Sequence, residues 1–189
     1  MLLRPPTPLT ESIALIGIEG EMIFAELPEK HDRFRTVVKN RNCSWNWDGR
    51  RYERTVTKYF GPLPDRAAEL GHVLLMAGFC IDLADDLAQM ILAASYEPEK
   101  RRIIGGSKNP KYKGWLAISW PRDEDFWSPA WALPSSRYDK PFVVVPPDQY
   151  EAVLDFVERF DFWIAPVAQK IIDAAVAPVT VAGASSPRC

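Results

Sequence analysis

An α+β fold built from two tandem units packed together is what this chain predicts, and three observations carry it. Residues 22 to 92 and 115 to 172 follow one order of strand, helix, hairpin, helix, strand and helix. Each opens on a short apolar strand, Ile23–Leu27 or Leu116–Trp120, with a proline next (Pro28, Pro121) and then a Phe (Phe34, Phe126). Each then carries an aromatic–Asp pair (Trp47-Asp48, Tyr138-Asp139) before a β-rich run, and a Pro-Asp pair (Pro64-Asp65, Pro147-Asp148) that opens an amphipathic helix. The helices run into Gly78-Phe79-Cys80-Ile81 and Asp161-Phe162-Trp163-Ile164. A unit this small buries little apolar surface alone, so two are expected to pack together.

Taken in order, residues 1 to 21 read as an arm and a first hairpin strand, the first ten carrying three prolines. Ser12–Ile18 and Met22–Leu27 are β-prone runs around a turn at Glu19-Gly20-Glu21. Asp32–Asn40 suits a short helix with Phe34, Val37 and Val38 on one side. Asp48-Gly49 marks the turn of the next hairpin, and Asp65 is the expected N-cap of a helix with Ala67, Leu70, Val73, Leu74 and Ala77 at helical spacing. Gly78 fits its stop. This first repeat spans 22 to 97. Residues 98 to 114, with Gly105-Gly106-Ser107 and alternating lysines, read as a basic flexible connector. The second repeat spans 115 to 173. In it Asp148 is expected to cap a helix with the stripe Tyr150, Val153, Leu154, Val157 and Phe160, and Pro166 starts a helix through Ile172. Residues 174 to 189 read as a frayed tail.

Of the 189 residues 47% are hydrophobic, which excludes wholesale disorder, and no apolar run reaches bilayer length. Cys43, Cys80 and Cys189 are odd in number and far apart, which argues against a disulfide framework and for a cytoplasmic protein; Cys43 and Cys80 read as thiols of the strand core. The formal net charge of −2 hides a segregation. Residues 27 to 60 hold nine basic and four acidic residues, and residues 98 to 113 hold six and one. Residues 61 to 97 hold one and six, and residues 114 to 189 hold six and ten. Basic charge therefore gathers on the first helix and hairpin and on the connector.

The hairpin-helix unit resembles the HARP domain, the HepA-related module of annealing helicases. The resemblance rests on Phe34-Arg35-Thr36-Val37-Val38-Lys39 followed by Trp45-Asn46-Trp47-Asp48-Gly49-Arg50-Arg51-Tyr52, and on Ser136-Arg137-Tyr138-Asp139-Lys140-Pro141-Phe142 followed by residues 150 to 160. It covers about two-thirds of the chain. Tyr52 and Phe142 stand where the family favours Trp, and the helicase motor is absent: Gly105-Gly106-Ser107-Lys108 lacks the spacing of a phosphate-binding loop. The resemblance implies binding of branched or partly single-stranded DNA. Aromatic faces accept unstacked bases while Arg and Lys hold phosphates. The expected nucleic-acid contacts are Arg41, Arg50, Arg51, Tyr52, Arg54, Lys58, Arg101, Arg102, Lys108, Lys111, Lys113, Arg137 and Lys140. Arg50, Arg51 and Arg54 lead this set, whereas Arg137 and Lys140 rank behind them because their unit is acidic overall. Trp45 and Trp47 share one face of a strand and are expected to point into the core.

Catalytic constellations are poor. His31 and His72 stand apart from any cysteine at metal-ligand spacing, and Glu19/Glu21, Asp85/Asp86 and Asp123-Glu124-Asp125 read as helix starts or solvated loops. No enzyme activity, metal, cofactor, small-molecule substrate or membrane partner is expected. The expected partner is DNA, single-stranded or forked. The alternative is a nucleic-acid-processing protein complex, which a chain of this kind from a mobile element would block, as an anti-CRISPR inhibitor does. The segregated acids favour that alternative, since they can dock on a basic channel. The surplus of Trp115, Trp120, Trp127, Trp131 and Trp163 suits either a core or a partner interface.

Overall fold

Alternating burial along the strands and apolar stripes on the helices produce two mixed sheets, each covered by helices. The computed structural model describes residues 1–57 and 60–182. The chain divides into unit 1, Met1–Glu99, and unit 2, Lys100–Cys189. The α+β class is as the sequence predicts, with helices of 5 to 17 residues and two mixed sheets. No helix among the described residues is long and apolar enough to cross a membrane.

Unit 1 runs β1 (Leu2–Leu3), β2 (Ile13–Glu19), β3 (Met22–Glu26), α1 (Asp32–Asn40), β4 (Ser44–Asn46), β5 (Arg51–Thr55), α2 (Leu63–Met76), β6 (Cys80–Asp82) and α3 (Asp85–Leu92). The sheet order is β1-β6-β2-β3-β5-β4, with β2 and β6 parallel and the other pairs antiparallel. Ala14, Ile16, Ile23, Ala25 and Tyr52 point inward at period two and meet Phe34, Val38, Leu70 and Leu74 from the helices. The arm is not loose: Leu2 and Leu3 pair with Asp82 and Ile81.

Unit 2 runs β7 (Ile103–Gly106), β8 (Leu116–Ser119), α4 (Trp127–Trp131), β9 (Arg137–Asp139), β10 (Phe142–Val145), α5 (Tyr150–Phe160), β11 (Trp163–Ile164) and α6 (Pro166–Ala182). Its order is β11-β7-β8-β10-β9, with β7 and β11 parallel and the rest antiparallel. Apart from β1, the two sheets thus have the same strand order and the same pairing senses. Phe79 and Phe162 each precede the parallel strand, are buried, and donate a backbone N–H to the carbonyl five residues earlier (Leu74 at 3.0 Å, Val157 at 3.1 Å). Their rings meet Phe34 and Phe126 edge-on, at 5.5 and 5.2 Å.

Four expectations need correction. The connector is not a linker: Ile103–Gly106 is a strand with Ile104 fully buried, and the next turn is a 3-10 helix, Pro110–Tyr112. Gly106 serves packing, for a Cβ there would lie 3.2 Å from Val167 and 3.3 Å from Ile171. The tail does not fray at 174, because an alanine-rich run carries α6 to Ala182, with Ile172 buried; residues 183–189 lie outside the described residues. Asp65 is not an N-cap, since α2 begins at Leu63, and its carboxylate instead accepts the Glu97 N–H at 3.2 Å. Asp148 makes no capping bond either: it sits in a 3-10 turn, Pro147–Gln149, ahead of α5.

Candidate nucleic-acid interface

In unit 1 the β4–β5 hairpin is shaped by Asn46, whose side-chain oxygen accepts the N–H groups of Asp48 (2.9 Å) and Gly49 (3.2 Å). Such a local bond competes with the strand ladder and fixes the turn. Arg50 sits on that turn, exposed, with φ 51°. Arg51 does not project freely. It pairs with Glu19, with Glu53 at 2.6 Å, and lies 4.2 Å from the centre of the Phe24 ring. Those hydrogen bonds raise the Arg51 pKa, and the bonds from Arg51 and then Asn46 lower that of Glu53.

Tyr52 and Arg54 point inward, at 9% and 8% exposure, and this overturns their assignment as contacts. Arg54 is held by a two-pronged pair with Glu99, Nη1 to Oε2 at 2.8 Å, and also bonds the Arg41 carbonyl at 3.2 Å. Burial opposes the charge on Arg54, yet the bond and charge of Glu99 outweigh it and raise its pKa. Arg41 pairs with Glu69 at 3.2 Å, and Glu69 also takes Arg66 at 2.8 Å and the Glu99 N–H at 3.0 Å. This buried network fastens residues 97 to 99 onto α2 and β5. Beside it burial pushes the Cys43 thiol up to about 12. Cys43 lies in the loop between α1 and β4 rather than in a strand, whereas Cys80 is in β6; both are buried. Lys58 lies outside the described residues.

The aromatics of this hairpin are on the outside. Trp45 is 39% and Trp47 84% exposed, contrary to the expected core positions. Their rings meet at 85° with centres 6.1 Å apart, and Trp45 rests edge-on against Tyr52 at 5.0 Å. The strand ends at Asn46, so Trp47 belongs to the turn and escapes the alternation that governs Trp45. An open cavity of about 740 Å³ adjoins them, also lined by Asn42, Glu53, Arg54 and Phe60.

In unit 2 the two connector arginines are engaged as well. Arg101 pairs with Asp123 at 2.8 Å; Arg102 pairs with Glu124 at 2.6 Å, donates to the Phe160 carbonyl at 2.9 Å and covers the Phe126 ring. The acidic run at 123 to 125 therefore neutralises the strand entry, and Asp125 accepts the Trp127 N–H at 2.9 Å at the start of α4. The loop from β7 to β8 is tied down at both ends. The Ser107 N–H donates to the Trp115 carbonyl at 2.9 Å, and Asn109 donates to Asp139 at 2.7 Å. Lys108, Lys111 and Lys113 project from this loop, exposed, as do Arg137 and Lys140 on either side of Tyr138-Asp139. None of these five takes part in an ion pair among the described residues.

Tyr138 belongs to an aromatic cluster. Trp127 and Trp131, one helical turn apart on α4, stack at 12° with centres 5.5 Å apart, and Tyr138 meets Trp127 edge-on at 5.3 Å. All three are more than 40% exposed. Tyr138 faces Val143 across the edge pair as Trp45 faces Tyr52, so both units place an exposed aromatic at the same register position. The i, i+4 spacing of Trp127 and Trp131 was the sequence signal for this cluster.

His72 Nδ1 lies 2.5 Å from the Tyr96 hydroxyl, and the His31 ring packs edge-on against Phe79. Among the described residues no group of three His, Cys, Asp or Glu is placed to hold a metal. Comparison of the chain with protein-family models, with curated proteins and with solved structures returned no match.

Proposed function

We propose that the protein is a non-catalytic binder of single-stranded nucleic acid and that unit 2 makes the main contact. One observation carries this reading: the exposed Trp127, Trp131 and Tyr138 form one cluster, Tyr138 lies between Arg137 and Lys140, the loop of Lys108, Lys111 and Lys113 is tied by Asn109 to the adjacent Asp139, and none of these five exposed cations has an ion-pair partner among the described residues. Aromatic faces stack on unpaired bases of any sequence, and lysine or arginine nearby holds the phosphates. Duplex bases are stacked on each other and offer no face to such a platform. The HARP-like pattern of residues 136 to 160 supports the same reading. The contact set becomes Lys108, Lys111, Lys113, Arg137 and Lys140 with the three aromatics.

The test is fluorescence anisotropy with labelled oligothymidylate of about twenty nucleotides, its RNA counterpart and a duplex of equal length, all at low salt. Binding of single strands over duplex is expected. The double variant Trp127→Ala/Trp131→Ala loses about 5- to 150-fold in affinity, the worth of one stacked base. Both side chains are half-exposed, so circular dichroism should match wild type. A folded double variant that binds as tightly as wild type removes the platform, and absence of any single-strand binding removes the function.

A further inference from the structure

We propose that Asp139 is the positioning residue of the unit 2 surface: it pins the lysine loop to the edge hairpin, so that affinity for a single strand depends on a carboxylate whose charge alone would oppose a phosphate. The inference rests on the reading of unit 2 given above. Asp139 ends β9 between Tyr138 and Lys140, half-buried and without an ion pair among the described residues. Both of its oxygens turn to the loop between β7 and β8. Oδ1 accepts the Asn109 side-chain amide at 2.7 Å, and Oδ2 accepts the Ser107 hydroxyl at 3.4 Å. Asn109 is the hub of that loop. Its side-chain oxygen takes the Lys111 N–H at 3.0 Å, its carbonyl takes the Tyr112 N–H at 2.9 Å, and its own N–H reaches Ser107 Oγ at 3.2 Å. One carboxylate thus holds, 30 residues away in sequence, the turn from which Lys108, Lys111 and Lys113 project.

The matching position in unit 1 is used differently. Asp139 pairs with Phe142 as Asn46 pairs with Arg51. Asn46 turns its side-chain oxygen to the N–H groups of its own hairpin turn, at Asp48 and Gly49, and its amide to Glu53 at 2.8 Å. Asp139 reaches instead to another hairpin, and its partners there are neutral, so no lysine of the loop is consumed in holding it. The carboxylate then acts on binding in two opposite ways. As a charge about 7 Å from a phosphate in water it weakens affinity about twofold. As a clasp it fixes the loop before the strand arrives. A loop set free would have to be ordered on binding, and ordering the backbone of even one residue weakens binding about tenfold. The clasp is the larger effect, so its loss weakens binding on balance by about fivefold.

Anisotropy of labelled oligothymidylate with the full chain at low salt tests the sign. Asp139→Ala should bind about fivefold more weakly than wild type, whereas loss of a repulsive charge alone would tighten binding about twofold. Asp139→Asn keeps an oxygen for the Asn109 amide and offers an N–H to Ser107 Oγ, so it should restore binding to wild-type strength or about twofold above it. Asn109→Ala opens the clasp with no change of charge and should weaken binding about tenfold. Asn109 lies within the loop, so this variant carries the test even where Asp139→Ala disturbs the sheet. Amide relaxation by NMR on the free proteins should show fast motion of residues 108 to 114 in Asp139→Ala and Asn109→Ala but not in Asp139→Asn. Wild-type or tighter binding by both clasp-free variants overturns the proposal, as does a loop that stays rigid in both. Asp139→Asn weakened as much as Asp139→Ala also overturns it, because the charge rather than the clasp would then be what binding needs. Wild-type protein that binds no single strand removes the reading of unit 2 and this inference together; binding by wild type that is indifferent to the clasp removes this inference alone.

Discussion

If unit 2 is the contact surface, the salt dependence of binding should follow its five unpaired cations. Each phosphate neutralised on a single strand contributes about −0.7 to the slope of log K against log salt, so five contacts give a slope near −3.5. Raising salt from about 50 to 200 mM should then weaken binding roughly 100-fold. The variant Arg137→Ala/Lys140→Ala removes two contacts from the edge strand, and its slope should fall to about −2.1, with a loss of roughly twentyfold over the same range. Arg50→Ala, in unit 1, should leave the slope unchanged. Anisotropy of a labelled oligothymidylate at four salt concentrations measures all three proteins. An unchanged slope in the Arg137/Lys140 variant would refute the assignment, because a cation that touches phosphate must release a counterion. A slope that collapses only with Arg50→Ala would return the site to the unit 1 hairpin.

Two further outcomes test the interior of unit 1. Arg54→Ala should leave Glu99 charged and buried, with a loss of about 3–5 kcal/mol in urea unfolding and no specific effect on the salt slope; a loss under about 1 kcal/mol would mean that the pair is hydrated in solution. The Cys43 thiol, ordinarily at 9.0, is raised by burial to about 12, so its stabilising effect is complete below pH 9.0 and is lost as pH rises toward 12. Stability should fall over that window by up to about 1.4 kcal/mol per pH unit, and Cys43→Ala should remove this component from a pH series of unfolding curves.

The fold was legible where periodicity and turn residues act locally. The hairpin at Glu19-Gly20-Glu21, the helix at Asp32–Asn40, the turn at Asp48-Gly49 and the stop at Gly78 all stand where the pattern puts them. The strand at Ile103–Gly106 was not legible, since two residues of a four-residue strand are glycines that normally signal a loop. Only α6, about sixty residues later, explains Gly106, by packing on it. Likewise the helix from Pro166 was legible through Ile172 but its continuation to Ala182 was not, since Pro178 normally signals a stop.

Charge was the least legible property, and the reason bears on the site. Counting by segment placed the basic surface on residues 27 to 60 and on residues 98 to 113, but in the first of these the carboxylates that neutralise it come from distant segments: Glu19 reaches Arg51, Glu69 reaches Arg41 and Glu99 reaches Arg54. In unit 2 the positions that match Arg51 and Arg54 by strand register hold Phe142 and Val145, so its sheet carries no cations there to be neutralised. Arg101 and Arg102 are paired at the strand entry, but Lys108, Lys111, Lys113, Arg137 and Lys140 sit on turns and the edge strand, exposed and without an ion-pair partner among the described residues. Two of the five, Arg137 and Lys140, stay available within a segment that is acidic on average, and the other three lie in the basic segment that precedes it. The same strand frame thus yields one surface whose arginines are spent on carboxylates from distant segments and another whose lysines and arginines stay exposed beside the edge strand. That difference, set by where each arginine finds its partner, is why a count of charge along the chain misplaces the surface fit for a phosphate.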